Sequence, residues 1–232
     1  MTKNYTPFLL IGIILLFACD RNPRQMTFQN SMISETPEVS ATYLVTITGQ
    51  WTKDNFPDHY PAHPAFSNFV GMTHPSTVQL YRMQKETPNG LSEFIVNNDA
   101  KKLQRHIKSL INAGNAGELI YSPALDSGNA SVSFNLTVDE TNSLVSVLGS
   151  ISPSPDWFVG LRNISLLKDG YFVSNLTLNM NSYDAGLNGG QSFGDDEMEM
   201  REKGHIVPLS GFPFSASDEQ TPVLAKITFT KK

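Results

Sequence analysis

From Ala41 onward the chain alternates apolar and polar residues in short runs. Tyr43, Val45 and Ile47 alternate with Leu44, Thr46 and Thr48, and the same two-residue period returns at residues 131–138 and 171–180. Successive side chains of a strand point to opposite faces, so this period predicts strands buried on one side and solvated on the other. Residues 77–83, 144–151 and 223–230 bring the candidate strands to at least six. Half-buried strands separated by turn residues imply two antiparallel sheets packed face to face, or a barrel. The expected fold class is mainly β.

One stretch keeps a different period. Between Asn89-Gly90 and Gly114, Leu91, Phe94 and Ile95, then Ala100, Leu103, Ile107, Leu110 and Ile111, fall at three-and-four spacing. That spacing places them on one face of a helix, which predicts one or two short amphipathic helices packed on the β-structure. Asp99 stands where an N-cap opens the second run and Gly114 where a helix stops.

Ahead of the domain, Lys3 is followed by an apolar run at residues 8–18 and then by Cys19, the single cysteine of the chain. The run is well short of the ~20 residues that span a bilayer and has the form of an export signal. The sequence Leu16-Phe17-Ala18-Cys19 resembles the lipobox of bacterial lipoproteins. That resemblance implies cleavage after residues 1–18, lipidation of Cys19 and stable attachment to a membrane of the bacterial cell envelope, since several acyl chains hold where one does not. Residues 19–40 then form the lipidated cysteine and a flexible tether, polar and interrupted by Pro23 and Pro37. Residues 41–232 form the domain.

Composition narrows the partners. With 40% hydrophobic and 17% charged residues the domain can bury a core, and its formal charge of −5 argues against nucleic acid, which needs clustered Lys and Arg. A lone thiol supports neither an internal disulfide nor a cysteine-based zinc site.

Two loops carry the candidate chemistry: Pro153-Ser-Pro-Asp156-Trp157-Phe-Val-Gly-Leu161, and Tyr183-Asp184-Ala-Gly186-Leu-Asn188-Gly-Gly190. Together with Tyr43-x-Val-Thr-Ile-Thr-Gly-x-Trp51 and the Pro-rich residues 56–74, they make the sequence resemble the N-terminal spondin domain of the F-spondin and mindin family of matrix proteins. The resemblance implies a C2-like antiparallel β-sandwich with one calcium ion. It places the ligands at Asp156, Asp184 and Asn188, the last where the family has a second aspartate. Calcium favours hard oxygen donors, and asparagine in place of aspartate keeps an oxygen while removing one negative charge. Read from the residues alone, Asp156 is equally a turn residue after Pro155, and Asp184-Ala-Gly a tight turn.

The remaining features carry less. The acidic residues 195–199 read as a solvated loop. His59 and His63 cannot share a helix face because Pro57, Pro61 and Pro64 surround them. His74 sits in what reads as a Gly71-Met-Thr-His-Pro75 turn. Sequons at Asn129, Asn135, Asn163 and Asn175 carry no weight in a bacterial cell. No nucleophile elbow, phosphate loop or metalloprotease helix motif occurs. The expected function is a non-catalytic, membrane-anchored, calcium-binding adhesion or recognition module whose partner is a surface protein or a glycan. The alternatives are a glycan hydrolase using Asp156 and Asp184, and a carbohydrate-binding module in which Trp51 stacks on sugar; Trp157 reads as core.

Overall fold

The computed structural model describes residues 38–194, 204–214 and 221–232. Cys19 and the acidic residues 195–199 lie outside them. In chain order the elements are β1 (Ser40–Gly49), β2 (Ala65–Phe66), β3 (Val70–His74), α1 (Asn89–Asn97), α2 (Lys101–Asn112), β4 (Leu119–Tyr121), β5 (Ser131–Asp139), β6 (Leu144–Ser152), β7 (Trp157–Ser165), β8 (Leu167–Lys168), β9 (Tyr171–Phe172), β10 (Asn175–Asp184), β11 (Val207–Pro208) and β12 (Ala225–Lys231). The fold is mainly β and entirely antiparallel in its pairings, a β-sandwich with near-barrel closure, as the alternation predicts.

The main sheet runs in the order β4-β3-β6-β7-β10-β12-β1-β5. β10 turns the corner of the sandwich. Its opening stretch, from Asn175 to Met180, pairs with β12, and its closing stretch, from Asn181 to Asp184, pairs with β7. A strand that changes partners midway along is how one continuous sheet folds over its own core. Tyr43, Val45, Ile47, Leu136, Val138, Val145, Val147, Val159, Ile227 and Phe229 fill that core.

The helices close the outer face of the β3-β6-β7 half. Leu91, Phe94, Leu103 and Ile107 pack there against Val70, Met72, Leu148, Phe158 and Tyr183. The N-cap of α2 is Ala100, one residue later than expected, and Asp99 just before it accepts a hydrogen bond from the Lys101 N–H at 3.0 Å. Gly114, at φ +72°, closes it with its N–H on Ile111 O at 3.0 Å.

Three expectations are corrected. Residues 77–83 form an irregular connection and no strand, because Leu80 and Tyr81 are drawn under the helices, Tyr81 meeting Phe158 edge-on at 5.4 Å. Residues 71–74 belong to a strand, β3, where a turn is expected from the Gly and Pro. The run 171–180 is broken, with β9 ending at Phe172 and β10 starting at Asn175.

The antiparallel order gives the sandwich two poles. The chain enters at one, where Ser40 pairs with Asp139 and Leu144 with Ser165. At the far pole, Gly49 pairs with Ala225 and Asp184 with Trp157. Gly49 and Gly128 are both needed there, since a Cβ on Gly128 would lie 2.0 Å from Trp51 O and one on Gly49 would lie 2.2 Å from Gly128 O.

Candidate functional site

The two aspartates meet at the far pole because of strand register. Asp184 ends β10 directly opposite Trp157, which begins β7, and Asp156 is the residue before it. Ser154 fixes the approach to β7, its hydroxyl donating to Ile151 O at 2.7 Å and accepting the Trp157 N–H at 3.2 Å. The segment after Asp184 then wraps over Asp156. The N–H groups of Leu187 and Asn188 donate to Asp156 Oδ2 at 2.5 and 3.0 Å, and the Ala185 N–H donates to Asp156 O at 3.3 Å.

Each loop residue expected to hold a ligand is tied locally. Asp184 Oδ1 accepts the Gly186 N–H at 2.7 Å, and Asn188 Oδ1 accepts the Gly190 N–H at 2.8 Å. Gly186 is at φ +67°, and a Cβ on it would lie 2.6 Å from the carbonyl carbon of Gly204. Only glycine accepts both conditions. Two residues that sequence reasoning passes over complete the support. Thr87 donates its hydroxyl to Ala185 O at 2.6 Å, and the Gly204 N–H donates to Gly186 O at 2.8 Å. Both act on backbone from distant segments, which leaves no trace in a local pattern.

The electrostatics follow from burial. Asp156 is 1% exposed and its pKa rises to about 6, first because burial penalises the charged form and then because Asp184 repels it. Burial also raises Asp184, against the pull of the Gly186 N–H and of the nearby Trp157 indole. That indole Nε1 acts on Asp184 at a distance, without meeting any acceptor at hydrogen-bond geometry among the described residues. Asp156 Oδ1 is likewise buried with no hydrogen-bond partner among them. A buried orphan carboxylate oxygen beside a second carboxylate is a costly arrangement that a cation would relieve.

The donor set therefore fits a hard cation such as calcium in chemistry: two carboxylates, one of them with an orphan oxygen, and an amide side chain in the same loop. Among the described residues, no group of three or more His, Cys, Asp or Glu side chains is placed to hold a metal. Asp156 and Asp184 are the two carboxylates that the fold brings together here, and the neutral Asn188 lies beside Asp156 through its backbone N–H.

Trp51 is not a stacking platform. It is fully buried and meets Phe66, Phe193 and Phe214 at ring-centroid distances of 6.2, 5.5 and 5.9 Å. A sugar needs an exposed ring face, and this ring has none. Trp157 is core, as expected. His74 is also buried, with Nδ1 on Pro75 O and Nε2 on Ser146 Oγ, both at 2.8 Å. His59 packs on Phe212 at 4.8 Å.

Residues 41–219 match the sequence model of the Spondin_N family. Spondin-2 of Rattus norvegicus is 30% identical over 204 residues, covering 82% of this chain and 62% of that protein. Spondin-2 of Homo sapiens is 34% identical over 157 residues, covering 66% and 47%. Spondin-1 of Mus musculus is 24% identical over 197 residues, covering 82% and 24%. The chain thus spans less than two thirds of the length of these relatives. The match over residues 41–219, which include both loops of the site, places this chain in the spondin N-terminal domain family.

Proposed function

We propose that this chain is a non-catalytic adhesion or recognition module, stabilised by one calcium ion at Asp156, Asp184 and Asn188 and anchored outside the cytoplasm through a lipid on Cys19. The orphan Oδ1 of Asp156 carries the metal reading: the loops hold a buried acceptor beside a second carboxylate, and no cationic side chain among the described residues pairs with either. Membership of the spondin family supports adhesion, and the lipobox-like ending at Cys19 supports the anchor. The burial of Asp156 speaks against a hydrolytic acid, which must touch its substrate. When bound, the ion would act structurally, drawing the loop after β10 onto the start of β7.

The test is a thermal melt of the full chain in detergent, with calcium and with chelator. A calcium-dependent rise in Tm that Asp184→Ala abolishes supports the metal reading. Equal Tm in both conditions, with no bound metal by elemental analysis, ends it. Mass spectrometry of the chain recovered from a bacterial host tests the anchor, through the acyl mass on Cys19.

A further inference from the structure

The outer face of the β5-β1-β12-β10 half of the sandwich is left uncovered by the helices, and its composition is unusual. Register sets Ser133, Thr46, Thr228 and Thr177 in one row across the four strands. The next row toward the far pole is Ser131, Thr48, Lys226 and Asn179. A solvated face ordinarily mixes charges of both signs. Here Lys226 is the one charge in these rows, and the rest are hydroxyls and an amide.

The hydroxyls are already organised. Thr46 and Ser133 share a hydrogen bond of 2.8 Å, Thr177 and Thr228 one of 3.0 Å, and Asn175 donates to Thr230 Oγ1 at 3.1 Å. Branching at Cβ restricts the threonine rotamers further. The result is a stiff lattice with strands ~4.8 Å apart and like-facing residues ~6.8 Å apart.

The row of Lys226 and Asn179 runs into a cleft of about 390 Å³ lined by Gln50, Asn55, Phe56, Asn179, Val223 and Lys226. Asn55 and Gln50 are tied through their amide nitrogens, to Gln50 O at 2.9 Å and Gly49 O at 3.0 Å. These bonds leave the amide oxygens of both side chains as acceptors for a ligand. Phe56 is half-buried, packed edge-on against Phe214 at 5.9 Å. Lys226 is exposed and pairs with no carboxylate among the described residues.

We propose that this cleft and the hydroxyl rows leading into it bind an extended acidic polysaccharide, with a uronate carboxylate on Lys226 and sugar hydroxyls on Asn55, Asn179 and Thr48. This rests on the recognition reading above and supplies its ligand class. Charge complementarity selects the occupant: one cation with no carboxylate partner among the described residues, set among neutral donors and acceptors, suits a chain bearing a carboxylate on some sugars and hydroxyls on the rest. A pre-ordered array loses little entropy when such a chain lies along it. The exposed cations of α2, Lys101, Arg105 and Lys108, lie by contrast on the half of the sandwich that the helices cover, around Gln104.

The probe is hyaluronan, which alternates a uronate with a neutral sugar, with dextran as the uncharged control. Binding of the full chain in detergent is followed by calorimetry. Hyaluronan is expected to bind in preference to dextran, with weakening by added salt. Lys226→Gln is expected to weaken it about tenfold, as loss of one charge-assisted contact does. Asn179→Ala should weaken it less, and Lys101→Gln with Arg105→Gln on α2 should leave it unchanged. Four results overturn the proposal: no hyaluronan binding, equal affinity for dextran, indifference to Lys226→Gln, or loss through the α2 pair instead. Dimerisation that Lys226→Gln abolishes would assign the face to a second copy, and also overturn it. Asp156→Asn separates this from the metal reading, because it removes a metal ligand at the other side of β10 and should leave hyaluronan affinity intact at temperatures where the variant is folded.

Discussion

Asp184 stands directly opposite Trp157 in the ladder between β10 and β7, so the carboxylate of Asp184 and that of Asp156 reach the same pole through one strand pairing. The site is therefore a product of register. A slip of one residue would turn Asp184 to the other face of the sheet.

Acidity in the metal-free protein should follow from the buried pair. Asp156 titrates near 6 when folded, above its ordinary 3.8, and Asp184 is also raised. The folded state therefore holds protons that the unfolded state has already released, and stability falls as pH rises from about 4 through about 6. For Asp156 alone the loss is ~2 to 3 kcal/mol. Urea denaturation in chelator should show higher stability at pH 5 than at pH 7. Asp156→Asn should flatten much of that slope and raise metal-free stability at pH 7.

His74 works in the opposite direction. Burial lowers its pKa below 6.5, against the hydrogen bond to Pro75 O. The unfolded chain takes up the proton first, so the contribution of His74 is present above pH 6.5 and is lost as pH falls. In an NMR titration the His74 ring should stay neutral as pH falls through 6.5, the ordinary value for the side chain. Protonation of the ring at 6.5 or above would mean that the buried network around Ser146 opens in solution.

Gly186→Ala should uncouple the site from the fold. It places a side chain at φ +67° against Gly204 and pushes residues 185–188 off Asp156. The core packs elsewhere, so circular dichroism at low temperature should match the parent. The calcium-dependent rise in Tm should disappear. A full response in this variant would show that the loop does not contribute to the metal site.

Trp51 anchors the aromatic cluster beneath the far pole. Trp51→Ala should cost about 3–5 kcal/mol by urea denaturation, as large-to-small core changes do, whereas Trp51→Phe should cost much less. A loss below ~1 kcal/mol for the alanine variant would mean that the cluster collapses onto the gap.

What the sequence discloses depends on which faces of a strand are wet. β1, β5, β10 and β12 have one solvated face, and their alternation is plain in Tyr43-Leu-Val-Thr-Ile-Thr48 and Ser131-Val-Ser-Phe-Asn-Leu-Thr-Val138. β3 and β6 and the opening residues of β7 are covered on both faces, by the core inside and by α1 and α2 outside. Their residues lose the two-residue period, which is why β3 reads as a turn and the start of β7 as a loop. Asp156, Asp184 and Asn188 are legible as a set through the family resemblance. Thr87 and Gly204 are not, because they support the loop through its backbone from distant segments. The burial of Trp51 depends on Phe193 and Phe214, which are remote in sequence and have no periodic relation to it.

The entry of the chain at Ser40 has a mechanical side. β1 is interior to its sheet, with seven registered residue pairs to β12 and nine to β5. A pull arriving through Glu38 runs along the axis of β1. It loads those two ladders together, in shear, where an edge hairpin pulled from its open end would unzip bond by bond. Tension applied between Glu38 and the far pole is thus borne along the whole length of β1 before either ladder yields.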